Sequence, residues 1–349
     1  MHYTELDTPA LIVDLDVVDK NIRDMQQACD DVGIGLRVHT KTHKTPEIAH
    51  MQVAGGAIGI VSQKLGEAEA MVAGGIANVL IPYNIVGKPK LERLGRLLNE
   101  SDATITVAAD SVTTVQGLSD QATKDGCTIR VIVEMDTGGH RVGAQSPQET
   151  VALARLIDDL PGLEFCGVMT HPSWEKARDF ITEVKDLADK GGLPLEIVSG
   201  GGTGSQEVAK SIGCNENRMG SYLYEGVTRI GGADQLHPSR CPARVAVTVV
   251  STSAPGQMIV DAGRKSFSTD PPKPYGYCVE HPEIFIKGLS AEHGHIDTTQ
   301  SSRTFKVGDV LSFIPNHGGM TTSLYDRMHA VRDGEVVDTW VVAGRGRAF

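Results

Sequence analysis

The run Arg37-Val38-His39-Thr40-Lys41-Thr42-His43 places four ionisable side chains within seven residues. Read as a β-strand, it sends successive side chains to opposite faces. Val38, Thr40 and Thr42 then share a β-branched face suited to packing under a helix. Arg37, His39, Lys41 and His43 share the other face. Four ionisable groups on one face are costly in a core and useful around a bound anion; a solvated edge strand, where lysines are common protection, is the alternative. Lys41, flanked by cations and partly desolvated, would have a lowered pKa and could act as an amine nucleophile. The plainer alternative is a lysine snorkelling to the surface. A second cluster, Ser199-Gly200-Gly201-Gly202-Thr203-Gly204-Ser205, exposes backbone N–H groups and adds the hydroxyls of Thr203 and Ser205. Such a run can cradle a phosphate, although a glycine-rich run by itself is often only a flexible turn.

The elements that must position these residues alternate at a steady interval. Strand patterns occur at 36–41, 58–63, 78–83, 103–109, 129–135, 164–170, 195–199 and 217–224, separated by helical patterns such as 64–73, 88–99 and 147–158. Eight strands separated by helices over ~200 residues predict a (β/α)₈ TIM-like barrel. A doubly wound sheet is the rival, and no strand is followed by the G-x-G-x-x-G it would carry. From about 238 onward the runs 243–250, 257–261, 283–289, 309–315 and 327–332 are short and β-like, with turns such as Asp333-Gly334 and no convincing helix. The expected division is a barrel at 17–237 and a β-rich C-terminal domain at 238–349, joined by residues 1–16, whose strand 10–16 pairs with it. In a barrel, catalytic groups stand at the C-terminal ends of strands, and phosphate sites use the loops after strands seven and eight. Lys41 ends the first strand and the glycine run follows the seventh. A lysine facing a phosphate cradle suggests a phosphate-bearing aldehyde held as a Schiff base, with pyridoxal phosphate the economical choice because it supplies the electron sink.

Bulk properties narrow the partners. A length of 349 residues accommodates a large domain and a smaller one. The net charge of −11 argues against a nucleic-acid surface. No stretch approaches the roughly 18 apolar residues of a membrane helix, and the first residues lack the pattern of a signal peptide. Cys29, Cys127, Cys166, Cys214, Cys241 and Cys278 are scattered without a C-x-x-C pair, as expected for reduced cysteines in a cytoplasmic protein.

Beyond these physical readings, the sequence resembles the D-threonine aldolase/D-serine dehydratase family, fold-type III pyridoxal-phosphate enzymes related to alanine racemase. The segments that carry the resemblance are DTPALIVDLD (7–16), LRVHTKTHKTPEIA (36–49), GIVSQKLGEAEAMVAGGI (59–76), VGKPKLERLG (86–95), VEMDTGGHRVG (133–143), VSGGGTGS (198–205), GSYLY (220–224), IVDAGRKS (259–266), EHG (292–294) and IPNH (314–317). It implies an N-terminal barrel, a C-terminal β domain and a homodimer acting on a small amino-acid substrate. Carried over by position, the cofactor lysine is Lys41, preceded by His39 and distinct from Lys44. Gln63 and Arg141 match positions near the cofactor's phenolic oxygen. Gly201, Gly202, Thr203 and Gly204 match its phosphate loop, helped by Tyr222. His171 matches the histidine of a Tyr-His pair and would be a general base, while the pair's tyrosine is Thr170 here. Arg218 lies in a segment like the one whose arginine, in alanine racemases, bonds the pyridine nitrogen; pairing with a carboxylate at the barrel rim is its other reading.

A divalent-metal site of the form P-x-H-x-C or P-x-H-x-D is usual in the family. His317 supplies its first ligand, but the second position is Gly319, which has no side chain to bind anything; Glu292, His293 and Asp326 lie in matching segments. The expected activity is retro-aldol cleavage of a β-hydroxy-D-amino acid to glycine and an aldehyde. The alternatives are a D-serine or hydroxyaspartate dehydratase, or a metal-independent racemase with Tyr275, Tyr277 or Tyr325 as second base. A non-catalytic pyridoxal-phosphate carrier is disfavoured by the added β domain, and a degenerate paralogue by intact Lys41, Arg141 and GGGTGS.

Overall fold

The computed structural model describes residues 1–226 and 237–349. After β1 (Ala10–Asp14) and α1 (Leu15–Val32), eight parallel strands close into a barrel in chain order. They are β2 (Gly35–His39), β3 (Gly59–Val61), β4 (Asn78–Asn84), β5 (Thr104–Ala109), β6 (Ile129–Met135), β7 (Leu163–Thr170), β8 (Ile197–Gly201) and β9 (Glu216–Met219). Closure comes from β2 lying beside β9, with Gly35 opposite Glu216 and Val38 opposite Met219. A closed ring excludes the doubly wound sheet, and β2 is no edge strand. Val61, Leu80, Ala108, Ile132, Cys166, Met169 and Ile197, from six successive strands, form one buried cluster, the packed interior expected of such a barrel.

The helices between these strands are α2 (Pro46–Ala54), α3 (Leu65–Ala73), α4 (Lys88–Asn99), α5 (Val112–Asp125), α6 (Pro147–Asp159), α7 (Arg178–Lys190) and α8 (Gln206–Ser211). Their ends follow local chemistry. Ser111 Oγ accepts from Thr114 N–H to start α5, and Ser146 caps α6 ahead of Pro147.

Two compact units result: one of residues 24–41, 46–220 and 347–349, the other of 1–23, 42–45 and 221–346. The sequence expectation drew the divisions at 16/17 and 237/238; the contacts draw them inside α1 and directly after β9. The second unit is a nine-stranded sheet built from β1, β10 (Ala243–Ser251), β11 (Gln257–Val260), β12 (Gly276–Cys278), β13 (Phe285–Leu289), β14 (Gly294–Asp297), β15 (Val310–Pro315), β16 (Arg327–Arg332) and β17 (Glu335–Val341). An added β10–β11 pairing bends six of these strands into a ring. The ring encloses a core that includes Val245, Val247, Met258, Phe267, Ile286 and Phe313. As expected, β1 joins this sheet, antiparallel to β10 and parallel to β16.

Three local expectations fail. The first barrel strand ends at His39, and Thr40–Thr42 form a 3₁₀ turn, so strict alternation does not reach Lys41 or His43. The last barrel strand covers four residues instead of eight. A short helix, α9 (Gly318–Thr322), lies between β15 and β16, and β12, β14 and β17 were not anticipated. Segments of three to five residues are too short to show a hydrophobic period. All six cysteines are free. Among the described residues, no helix is long and apolar enough to cross a membrane.

Candidate active site

The barrel unit gathers its ionisable groups at the C-terminal ends of its strands. His39, the last residue of β2, is buried. The Oε1 atom of Gln63 can only accept, so His39 Nε2–H donates to it at 3.0 Å, leaving Nδ1 to accept from the Lys41 backbone N–H at 3.4 Å. One imidazole thereby fixes both Gln63, two residues past β3, and the turn that carries Lys41. Burial drives the His39 pKa well below its ordinary value, and the nearby Lys41 charge pushes the same way, so His39 is neutral and its tautomer is set.

Lys41 is solvent-accessible at the barrel mouth. Even so, partial removal of water lowers its pKa; the positive charges of Arg141 and Arg218 add to this, and Glu67 opposes it. The sequence argument reached this chemistry through the wrong geometry, since Lys41 projects from a turn and not from a strand face. The other cations of the run go elsewhere. Arg37 is locked between both carboxylate oxygens of Glu216, at 2.9 Å, and Asn78 Oδ1. His43 is fully buried beside the Tyr224 ring, and Lys44 accepts the Gly344 N–H through its carbonyl. His43, Lys44, Tyr222 and His317 belong to the second unit.

Arg218, on β9, is buried and donates to the Ser199 carbonyl at 3.0 Å, Ser199 Oγ at 2.6 Å and the Thr170 carbonyl at 2.7 Å. Ser199 Oγ in turn donates to Glu216 at 2.6 Å. The guanidinium is therefore oriented by two backbone carbonyls and a hydroxyl.

His171 directly follows β7 and is solvent-accessible. Burial of its ring, followed by the charges of Arg218, Arg141 and Lys41, lowers its pKa to about 4; a hydrogen bond with the Gly201 backbone opposes the shift. At neutral pH its imidazole is unprotonated and ready to accept a proton. Thr170, which stands where the tyrosine was expected, shares a 2.8 Å hydroxyl contact with Thr137.

The glycine run begins inside β8 and continues past it. A Cβ at Gly201 would lie 2.8 Å from His171 Nδ1 and 2.9 Å from Arg218 Nη2, so only glycine lets both groups approach this point. Gly201 N–H donates to Ser173 Oγ and Gly202 N–H to the Arg218 carbonyl. Gly202 and Gly204 have φ of +128° and +81°, and a Cβ at Gly204 would meet nothing within 4 Å.

Arg141 sits on a loop shaped by Asp136, whose Oδ1 accepts the N–H groups of Gly138, Gly139 and His140 at 2.7–3.0 Å. Its guanidinium approaches Glu134 at 3.6 Å. Gln63, Tyr83, Asn84, Lys90, Glu134 and Arg141 line a cavity of about 530 Å³.

Glu134 was missed by sequence reasoning. It is buried on β6, and desolvation raises its carboxyl to about 7, against the pull of Arg218 and Arg141. The signal was present, because an acidic residue that follows three apolar ones near the C-terminal end of a barrel strand belongs with catalytic positions. Ionisation of Glu134 as pH rises through about 7 ties up the Arg141 charge. Glu134→Gln is therefore expected to remove an inflection near pH 7 from the profile of kcat/KM. An unchanged inflection would assign the titration to another group. The linkage sign is definite: between the ordinary carboxyl range and about 7 the folded state binds the extra proton, so this group's contribution to stability falls as pH rises.

The second unit holds the remaining candidates. Glu292 pairs with Lys265 and Asp326 with Arg345. The Tyr325 hydroxyl donates to the Ser266 carbonyl at 3.1 Å, and burial raises its pKa; it is thus poorly placed to serve as the second base of a racemase. Tyr275 packs against the sheet core and Tyr277 against Cys241 and Ile314.

A closed parallel barrel with a lysine at the mouth of its first strand, a glycine turn after its seventh and a separate β unit defines an alanine racemase-type protein. The alanine racemase N-terminal domain family matches residues 13–227, and a serine dehydratase domain family matches 243–331. The chain belongs to the D-threonine aldolase/D-serine dehydratase branch of this family. It is 34% identical to a D-threonine aldolase of an Arthrobacter species, over 98% of this chain and 93% of that one. It is 33% identical to a 3-hydroxy-D-aspartate aldolase of Paracoccus denitrificans, over 100% and 95%. The crystal structure of D-threonine aldolase from Filomicrobium marinum superimposes with a TM-score of 0.89 at 31% identity, covering 99% of this chain and 98% of that one.

Proposed function

We propose that the chain is a pyridoxal-phosphate-dependent carbon–carbon lyase that cleaves a β-hydroxy-D-amino acid into glycine and an aldehyde. The observation that carries this reading is the concentration of positive charge around a lysine of lowered pKa beside the Gly201–Gly204 turn. Lys41, Arg141 and Arg218 outnumber Glu67 and Glu134, whose carboxyl is raised by burial, so the pocket favours an anion. The turn admits no Cβ where His171 and Arg218 converge. These residues fit the cofactor, and the aldolase names of the full-length relatives support the reaction.

Under this reading Lys41 Nζ is the attachment point for the aldehyde group. His39 and Gln63 fix the turn that aims it. Gly201 and Gly202 shape the phosphate turn, and Thr203 and Gly204 would serve the phosphate. Arg141, on the loop shaped by Asp136 and near Glu134, would offset the charge of the phenolic oxygen, and Arg218 would serve the ring nitrogen. Bound pyridoxal phosphate supplies a sink for the electron pair released when Cα–Cβ breaks. His171 takes the β-hydroxyl proton on an unprotonated ring nitrogen as the aldehyde carbonyl forms, and Lys41 Nζ returns a proton to Cα. The homodimer expected from the resemblance belongs to the same proposal.

The test is incubation of the cofactor-loaded protein with D-threonine or 3-hydroxy-D-aspartate. Glycine and aldehyde should appear in equal amounts. Ammonia with a keto acid, and no glycine, would replace cleavage by dehydration.

A further inference from the structure

The family's metal position raises the question of what His317 does in this chain. The residue precedes α9, and its Nδ1 accepts the Met320 backbone N–H at 3.1 Å, closing the first turn of that helix. A backbone N–H can only donate. The imidazole must therefore present its lone pair at Nδ1 and carry its proton on Nε2. A protonated nitrogen has no lone pair for a cation, and ligation through Nδ1 would break the cap.

The second ligand position is closed as well as bare. A Cβ at Gly319 would stand 3.2 Å from the Thr42 carbonyl oxygen, 3.3 Å from Thr42 Cα and 3.3 Å from His317 Cε1. Two of those three atoms are backbone, so a ligating side chain has no ready space there. Glu292 and Asp326 are engaged by Lys265 and Arg345. Among the described residues, the one group of three or more His, Cys and carboxylate ligands within reach of one another is Glu164, Cys166 and Glu196, which excludes His317. Arg130 ion-pairs with both carboxylates of that trio.

We propose that this chain has replaced the family's divalent-metal centre with a helix cap: His317 holds α9, Gly319 packs on Thr42, and carbon–carbon cleavage proceeds without a bound divalent cation. The second clause rests on the lyase reading; the first does not. The β-hydroxyl proton then has a protein base as its acceptor, the role given above to His171.

Metal content and turnover are to be measured separately on the cofactor-loaded protein. Elemental analysis after dialysis, and Mn²⁺ titration followed by electron paramagnetic resonance, should show no stoichiometric site. Glycine release should change by less than about twofold with EDTA or added Mn²⁺. His317→Asn, which keeps a capping oxygen, should leave both results as they are. One tightly held Mn²⁺ per chain, lost in His317→Asn, would overturn the inference whatever the activity. Metal-free protein whose glycine release is restored only by Mn²⁺ would also overturn it. Absence of turnover under every condition would instead count against the lyase reading, and the metal titration would still decide the fate of the site.

Discussion

Lys41→Ala is expected to abolish glycine formation, a loss of roughly three or more orders of magnitude because the covalent route disappears, together with the visible absorption of cofactor joined to lysine. The argument rests on the environment of Nζ more than on its position in a motif. Partial desolvation and the charges of Arg141 and Arg218 lower its pKa, so a larger share of free amine is present near neutrality than for an ordinary lysine. His39 holds the backbone of the same residue, so the amine is aimed as well as activated. Lys44→Ala is the matched control. Its carbonyl accepts from Gly344, a contact the substitution leaves in place, and its side chain belongs to the other unit. That variant should keep the absorption band and most of its turnover; the opposite pattern would transfer the attachment point to Lys44.

His171→Ala is expected to lower kcat by about 10²–10⁴, the usual worth of a positioned base, while leaving the absorption band of bound cofactor in place. Three cationic neighbours and burial hold the imidazole near 4. Protonation disables a base, so the wild-type rate should rise with pH through about 4 and then stay level with respect to this group. In the variant the acid limb attributable to His171 should vanish from a profile of kcat. Equal loss with an unshifted limb would mean that His171 only packs the site. Retention of the full rate would leave the β-hydroxyl proton without its assigned acceptor.

Much of this architecture is legible in the amino-acid sequence. The barrel strands announced themselves because each is an apolar run followed by a longer helical pattern, and the positions of Lys41, His171 and the glycine run at strand ends followed from that count. What stayed hidden was local. The 3₁₀ turn at Thr40–Thr42 has no hydrophobic signature, so the strand pattern was carried two residues too far. Arg37 lies within the strand as expected, yet its guanidinium is consumed by Glu216, a partner 179 residues away that no spacing argument could name. Glu134 was readable as an anomaly, but its meaning needed the approach of Arg141. The substitution at Gly319 was visible at once; that the neighbouring imidazole had become a cap needed α9, a helix of five residues that no period could reveal.

The joint between β2 and β9 has a consequence of its own. In a barrel assembled in chain order, these two strands are the neighbours farthest apart along the polypeptide, and closing the largest loop is the step that entropy opposes most. Here Arg37 on one strand clasps Glu216 on the other, and Ser199 and Arg218 extend the hydrogen-bonded line from that clasp to the floor beneath His171. The same hydrogen-bonded line thus serves both the closed ring and the floor. Arg218 is oriented only where β8 and β9 stand side by side, so a ligand held by its guanidinium would also brace the strands that close the ring.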